Sequence, residues 1–256
     1  MKEIIKKIFP ETSRKLSEFR KKYIINKFKK AYPNTKLFYN PKPTKYSQEN
    51  QDMIIYENFF KNESLGIFCD IGGNHPLTFN NTRYFEEIGW TGYVFEPLPK
   101  MKPLWEEYRK AKLFPFALSD TEGEVAFSVV NDNETFGDMF SYVKDTKESG
   151  YKYQSEDIVV KTKVLKDILI KNSITHINYM SIDVEGHELN VLKGIDFNTV
   201  QIDVLTIENN SRCCHIYGDD KIREIMFKNK YILWGRIVGL DDIFVHKDFL
   251  ENIDAK

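Results

Sequence analysis

The sequence is poor in cysteine, in net charge and in long apolar runs, and each absence excludes a class of protein. Its three cysteines, Cys69, Cys213 and Cys214, make no disulfide framework, because an adjacent pair is awkward to bridge and Cys69 lies in a predicted buried strand. We therefore expect a reducing, cytoplasmic compartment. A formal charge of −1 provides no general attraction to nucleic acid. We expect neither a signal peptide nor a membrane span at the N-terminus, which has no apolar stretch of sufficient length.

What the chain does contain is enough apolar surface for a core. Hydrophobic residues make up 41% of its 256 residues, which argues against a disordered chain. That length permits one large domain or two small ones. We expect a basic helical extension and a proline-punctuated linker over residues 1–44, followed by one folded domain over residues 45–256.

The N-terminal extension mixes basic and apolar residues. Residues 1–31 are predicted to form one or two helices, broken near Pro10. One interpretation is a surface over residues 1–30 that contacts an anionic membrane, an anionic polymer or a partner subunit. The other is an amphipathic helix whose apolar side packs against the domain. The pattern leaves both interpretations open, together with the possibility of an oligomer.

The stretch over residues 66–97 has the pattern of a nucleotide-binding unit. An apolar run ends in Asp70 and a glycine pair, Gly72 and Gly73, which predicts a strand and a tight turn where the backbone can approach a ligand. A helical stretch and a second strand follow. That strand stops at Glu96, whose carboxylate suits the two hydroxyls of a ribose. The turn lacks a third glycine to hold a diphosphate, which favours an adenosine ligand without one.

Strands and helices alternate from residue 66 onward. Strands are predicted over residues 66–70, 92–96, 112–118, 177–183 and 202–208, with a closing pair at 231–236 and 243–246 and a rim hairpin from 124–130 and 139–143. Such alternation predicts an α/β fold with a mainly parallel sheet and helices on both faces. Ligands of these sheets bind beyond the carboxyl ends of the strands. Acidic residues stand at those ends, namely Asp70, Glu96, Asp120, Asp183 and Glu208.

Four motifs carry a resemblance to a known family. They are the segment Tyr46–Asp52, the glycine turn with its strand ending at Glu96, the stretch Ala117–Gly123, and the run Ser181–Glu188. Together they resemble the FkbM family of class I S-adenosylmethionine-dependent methyltransferases, over about residues 46–247. The resemblance implies a Rossmann-like sandwich with a seven-stranded, mainly parallel sheet whose last strand is antiparallel. It also implies S-adenosyl-L-methionine as the methyl donor.

The resemblance implies a set of donor-binding residues. The glycine turn would lie beside the amino-acid part and the ribose of the donor, and Glu96 would accept hydrogen bonds from the ribose hydroxyls. Ser119 and Asp120 would frame the adenine, although a plain turn explains them too. Ser47 and its neighbours would cover the donor's carboxylate, unless Ser47 only caps a helix. The full set is Tyr46, Ser47, Gln48, Asp52, Asp70, Gly72, Gly73, Asn74, Glu96, Pro97, Ser119 and Asp120.

The run that begins at Asp183 is the predicted reaction centre. His187 is our choice for the general base, because an imidazole titrates near neutrality, with Asp183 and Glu185 as alternatives. Asp183, Glu208 and Asn209 offer oxygen ligands of the kind that Mg²⁺ or Mn²⁺ prefers, and such an ion would lower the pKa of an acceptor hydroxyl. A metal-free reaction stays open. So does a structural interpretation in which the glutamates of the run only cap the next helix.

The resemblance thus implies an enzyme that transfers a methyl group to an oxygen atom. Our first expectation for the acceptor is a sugar hydroxyl in polysaccharide, capsule or natural-product glycan biosynthesis. A second acceptor class is another small group, such as a phosphate-linked or nucleotide-bound one. A hypothesis of a different kind is a non-catalytic module that binds the donor.

Overall fold

The computed structural model describes residues 10–131, 137–144, 154–210 and 216–255. Predictions for residues 1–9 and for Cys213 and Cys214 lie outside these ranges. The helices are α1 (Pro10–Ala31), α2 (Gln51–Ile55, continued by a π-helical turn, Tyr56–Phe60), α3 (Arg83–Glu87), α4 (Met101–Tyr108), α5 (Leu165–Lys171), α6 (Glu188–Lys193), α7 (Asp220–Lys228) and α8 (Lys247–Asp254). The strands are β1 (Lys36–Phe38), β2 (Ile67–Ile71), β3 (Thr91–Phe95), β4 (Lys112–Phe114), β5 (Ala117–Leu118), β6 (Gly123–Val130), β7 (Tyr142–Val143), β8 (Ser155–Lys163), β9 (His176–Ile182), β10 (Gln201–Glu208), β11 (Tyr231–Ile237) and β12 (Asp241–His246). Among the described helices, none has the length and apolar character needed to cross a membrane.

The large sheet has eight strands in the order β1-β11-β12-β10-β9-β2-β3-β4. Only β12 runs against its neighbours, because it pairs antiparallel with both β10 and β11. The prediction of an α/β fold is confirmed, whereas the expectation of seven strands is wrong for this sheet. The additional strand is β1, which lies in the stretch predicted as a linker and pairs in parallel with β11. The division of the chain at residue 44 stays a prediction.

Both faces of the large sheet are covered, which explains why its strands are continuous apolar runs. Along β2, Phe68 belongs to one buried cluster, while Cys69 and Ile71 belong to another. Helices α5, α6 and α7 contribute to the cluster around Cys69, and α2, α3 and α4 contribute to the cluster around Phe68. Successive side chains of a strand point to opposite faces, so the two clusters are the two halves of the core.

A smaller sheet, β5-β8-β6-β7, stands beside the large one. The strand predicted over residues 112–118 is divided between the two sheets, with Pro115 between β4 and β5. The predicted rim hairpin is present as β6 and β7, but the longer partner of β6 is β8, which we did not predict. Strand β8 gives a weak apolar signal because, of its nine residues, only Val160 and Thr162 are buried.

Over residues 18–31, where its side chains are described, helix α1 packs against the domain near its end. Phe28 is buried in the core, whereas 71% of Phe19 and 63% of Tyr23 is exposed. Just beyond the helix, the Tyr32 hydroxyl donates a hydrogen bond to Asp220 at 2.6 Å. The structural interpretation therefore holds for the last turns of α1, and the preceding turns keep aromatic rings in solvent.

Two arginines without solvent contact share one buried carboxylate beneath the carboxyl edge of the sheet. Arg223 Nε lies 2.8 Å from one oxygen of Asp242, and Arg236 Nη1 lies 2.5 Å from the other. The guanidinium carbon of Arg223 lies 5.1 Å from the ring centre of Phe28 and 4.8 Å from that of Tyr32. This cluster joins the end of α1 to α7, β11 and β12.

Both outer strands of the large sheet have the same three-residue sequence, Lys-Leu-Phe. Strand β1 begins with Lys36, whose Nζ lies 4.0 Å from the ring centre of Trp234. At the opposite edge, β4 begins with Lys112, whose Nζ donates a hydrogen bond to Asn172 at 2.8 Å. Each edge thus consists of a short strand that starts with a lysine.

Candidate active site

A cleft of about 520 Å³, part of it open solvent, lies at the carboxyl ends of β2, β3 and β9. Its position is the one expected for ligands of parallel sheets. The small sheet and the 3₁₀ turn Gly137–Phe140 complete its wall. Seven of the predicted site residues line it, namely Gly72, Asn74, Glu96, Pro97, Asp183, Glu185 and His187.

The glycine turn is wedged between the neighbouring strand ends. Gly72 has a φ of +84°, and a Cβ atom there would lie 1.8 Å from the carbonyl oxygen of Asp183. Its N–H donates to the carbonyl of Phe95 at 2.9 Å, and the N–H of Asp183 donates to the carbonyl of Ile71 at 3.0 Å. Only glycine fits this conformation and spacing, so the turn fixes the distance between the two sides of the cleft.

We expect Gly72→Ala to lower the free energy of unfolding by about 2–4 kcal/mol, because it combines left-handed backbone strain with an overlap that the strands must relieve. Gly239→Ala is the matched control, since Gly239 has a φ of +98° but no atom within 4 Å of the added Cβ. Urea unfolding followed by circular dichroism measures both. Equal losses in the two variants would show that the contact with Asp183 is unimportant.

Glu96 is held in the cleft wall by backbone donors. Its two carboxylate oxygens accept hydrogen bonds from the N–H groups of Asn74 and Leu98, each at 2.7 Å. Burial raises the pKa of Glu96 to about 7, although the two N–H donors favour its charged form. Each carboxylate oxygen still has a free lone pair, so the fixed side chain can accept two further hydrogen bonds from a ligand.

Three carboxylates converge near the carboxyl ends of β9 and β10, and two of them, Asp183 and Glu185, line the cleft. Asp183, Glu185 and Glu208 place oxygen atoms within 4.8 Å of one another. The side chain of Asp183 has surface accessible to solvent, yet the surrounding protein displaces much of the water around its carboxylate. This loss of hydration, together with the charge of Glu185, raises the pKa of Asp183 well above the usual range. Burial and the charge of Asp183 do the same to the pKa of Glu208. The site therefore combines a carboxylate held by backbone donors at Glu96 with a cluster of mutually interacting carboxyl groups at Asp183.

Comparison with known families matches residues 70–233 to the methyltransferase FkbM domain. The chain belongs to the FkbM methyltransferase family. Neither the curated proteins nor the solved structures include a match to it. The family resemblance of the sequence motifs is thereby confirmed.

In this FkbM methyltransferase, Asp70 has a different environment from the one the motif implied. Its carboxylate is buried and accepts hydrogen bonds from the Thr82 hydroxyl at 2.8 Å and the Asn80 amide at 3.1 Å. Arg109 donates to the same Asn80 and to the carbonyl of Pro76, each at 3.0 Å. Asp70 thus holds the loop that follows the glycine turn, and it is absent from the cleft lining. Sequence reasoning missed Arg109, because an arginine at the end of a charged helix looks like an ordinary solvated residue.

The segment Tyr46–Asp52 forms its own hydrogen-bonded unit next to that loop. The Ser47 hydroxyl donates to Asp52 at 2.6 Å, and the carbonyl of Tyr46 accepts from the N–H of Asn80 at 2.8 Å. Ser47 is not the helix cap that we considered, since Asn50 occupies that position before α2. Gln48 is exposed. None of the predicted residues of this segment lines the cleft, so its contact with the donor stays a prediction.

His187 lies in a hydrogen-bonded chain with the predicted adenine residues. Its Nε2 lies 3.0 Å from the Ser119 hydroxyl, which lies 3.2 Å from Asp120, and its Nδ1 lies 3.3 Å from the amide nitrogen of Asn190. Burial lowers the pKa of His187, which leaves the ring neutral at pH 7. Both ring nitrogens are engaged, so this arrangement favours a role in holding Ser119 over removal of a proton.

The predicted metal ligands are only partly brought together. Asp183 and Glu208 meet, but Asn209 uses its oxygen to accept the N–H of Asp219 at 2.5 Å and its nitrogen to donate to Asp242 at 2.7 Å. Consecutive strand residues point to opposite faces, and Asn209 follows Glu208 directly. Glu185 takes the third place in the cluster instead.

Proposed function

We propose that this FkbM methyltransferase transfers a methyl group from S-adenosylmethionine to a hydroxyl oxygen of a sugar, in polysaccharide, capsule or natural-product glycan biosynthesis. The observation that carries the proposal is the shared cleft of Glu96, the Gly72 turn and Asp183. One end offers fixed acceptors for ribose hydroxyls. The other offers carboxylates at the place where a cationic sulfonium and an acceptor would meet.

Each group of the cleft has a part in the reaction we propose. Glu96 binds the ribose. The Gly72 turn allows the donor to approach the protein backbone closely. The carboxylates of Asp183 and Glu185 attract the positively charged sulfonium. As the acceptor oxygen attacks in line, the O–C bond forms and the C–S bond breaks, leaving a neutral thioether. The hydroxyl proton passes to the carboxylate of Asp183, which lines the cleft.

The carboxylate cluster also fits a divalent cation. Three oxygen donors within 4.8 Å of one another suit the hard ions Mg²⁺ and Mn²⁺. We propose Asp183, Glu185 and Glu208 as the residues that would hold it, in place of the set with Asn209. Such an ion lowers the pKa of a coordinated hydroxyl and orients it.

The charge of the cleft favours a neutral acceptor. Without a bound cation, a phosphate-linked or nucleotide-bound acceptor would bring negative charge to Asp183, Glu185 and Glu208, and like charges repel at short distance. An uncharged sugar hydroxyl meets no such opposition. A non-catalytic donor-binding module would show tight donor binding and no turnover on any glycan acceptor.

Donor binding is the first test, and Glu96→Gln is its variant. We expect calorimetry to show that S-adenosylhomocysteine binds the chain while NAD does not. Glu96→Gln should weaken that binding about 10–100-fold, since hydrogen bonds to a charged group contribute about 1.5–3 kcal/mol. Glu106→Gln, an exposed change on α4, is the control. Binding of NAD instead of S-adenosylhomocysteine would refute the proposed donor.

Glu96 should also make both stability and donor binding depend on pH. Its pKa is raised from 4.5 to about 7 in the folded chain, so its contribution to stability is present below pH 4.5 and is lost as pH rises through 7. The charged form that accepts ribose hydroxyls is gained over the same rise. We expect wild-type affinity for S-adenosylhomocysteine to increase between pH 6 and 8, and the Gln variant to lack that increase.

A further inference from the structure

The outer face of α1 presents aromatic rings in a strongly basic setting. Phe19 and Tyr23 are four residues apart, so they lie on one side of the helix, and both are largely exposed. Lys22 and Lys30 are exposed on the same side. We call these four residues the α1 outer face.

The charge of this region differs from that of the whole chain. Residues 18–31 contain six basic residues and one acidic residue, a net charge of +5 (6 − 1), whereas the complete sequence has −1. The basic residues are Arg20, Lys21, Lys22, Lys27, Lys29 and Lys30. Positive charge is therefore concentrated locally on the part of α1 that carries the exposed rings.

Helix α1 carries this face toward the edge where the cleft lies. Phe28 lies beside Arg236, close to the carboxyl end of β11. Further along the chain, the Thr35 hydroxyl donates to the carbonyl of Leu233, earlier in the same strand, at 3.0 Å. The helix thus runs from the carboxyl edge toward the amino edge. Phe19 precedes Phe28 by nine residues, so it lies about 14 Å further out along the axis on the carboxyl side.

We propose that the α1 outer face binds the surface of a membrane that contains anionic phospholipids. Aromatic rings enter the headgroup layer from a helix that lies on the surface, and the surrounding lysines are attracted to anionic headgroups. An anionic polymer would account for the lysines alone, whereas a lipid layer would also bury the exposed ring of Phe19. The contact is peripheral and independent of methyl transfer. It brings the cleft to acceptors that are held at a membrane.

Sedimentation with vesicles tests this proposal on the full chain. We expect binding to phosphatidylcholine vesicles that contain phosphatidylglycerol, little binding to phosphatidylcholine alone, and a decrease with added salt. The pair Phe19→Ser with Tyr23→Ser should weaken binding roughly tenfold, through lost apolar burial. The pair Lys22→Glu with Lys30→Glu should weaken it about 25-fold or more, since each lysine near an anionic surface contributes a factor of about five.

The control exchanges an exposed apolar residue and an exposed lysine elsewhere. Leu65→Ser with Lys161→Glu should leave vesicle binding unchanged, because both side chains are exposed and lie outside α1. Equal binding to neutral vesicles, no vesicle binding, or equal losses in control and test pairs would overturn the proposal. Binding to an anionic polysaccharide without binding to vesicles would show that the partner of the α1 outer face is a polymer and not a membrane. Binding of S-adenosylhomocysteine is measured on the same samples. Vesicle binding without S-adenosylhomocysteine binding would refute the proposed methyl transfer and leave the membrane proposal intact.

Discussion

Asp242→Ala is expected to lower the free energy of unfolding by about 3–5 kcal/mol, because it leaves two buried arginines without their shared carboxylate. Arg223 and Arg236 have no solvent contact and lie 2.8 and 2.5 Å from Asp242. The amide of Asn209 also donates to this carboxylate. One substitution therefore removes the carboxylate that three buried donors share, although Arg223 keeps its ion pair with Asp220 at 2.8 Å. Loss of a buried countercharge is among the most destabilising changes in a protein.

Urea unfolding followed by circular dichroism measures the effect. Asp157→Ala is the matched control, since the pair of Asp157 with Lys144 is exposed and pairs of that kind contribute little. Asp242→Asn should fall between wild type and the alanine variant, because an amide oxygen accepts hydrogen bonds without supplying the charge. An alanine variant as stable as the Asp157 control would show that the two arginines find other acceptors.

Asp183→Asn is expected to reduce turnover about 10²–10⁴-fold, which is the usual contribution of a group that accepts a proton in the transition state. The amide has the same shape as the carboxylate but cannot take up the acceptor's proton. Binding of S-adenosylhomocysteine should change little, since this thioether lacks the sulfonium charge and Glu96 and the glycine turn stay intact. The measurements are the initial rate of methyl transfer to a glycan acceptor and the calorimetric affinity for S-adenosylhomocysteine.

The control for this variant is Asp167→Asn, an exposed change on α5. A rate that falls in step with donor affinity would contradict a specific role of Asp183 in the reaction. An unchanged rate would transfer the proton-accepting role to Glu185 or to another group of the cleft.

The sequence predicted the elements around the cleft well, because their signals are local. Helix α6 begins at Glu188, where the run Ser181–Glu188 was expected to lead into a helix, and the turn at Gly72 required a residue that accepts positive φ. Glu96 reaches the cleft because it directly follows a buried strand. Patterns of this kind need no knowledge of distant neighbours.

The remaining features depend on contacts between distant parts of the chain. Strand β1 is three residues long and half exposed, so only its pairing with β11 makes it a strand. The side chain of Asn209 is engaged by Asp219 and Asp242, which the order of residues along β10 does not reveal. Asp70 contacts Asn80 and Thr82 because the intervening loop folds back. These features are set by tertiary contacts, which local propensity does not determine.

The two Lys-Leu-Phe edge strands affect whether copies of this chain associate with one another at high concentration. An open sheet exposes unpaired N–H and C=O groups at both margins, and these can recruit a strand from a neighbouring molecule. Here each margin offers only three residues, and each begins with a lysine, Lys36 or Lys112. Two such margins brought together would form few hydrogen bonds and would oppose like charges. Self-association through a continuous intermolecular sheet, the route that leads to fibres, is therefore discouraged at both ends of the molecule.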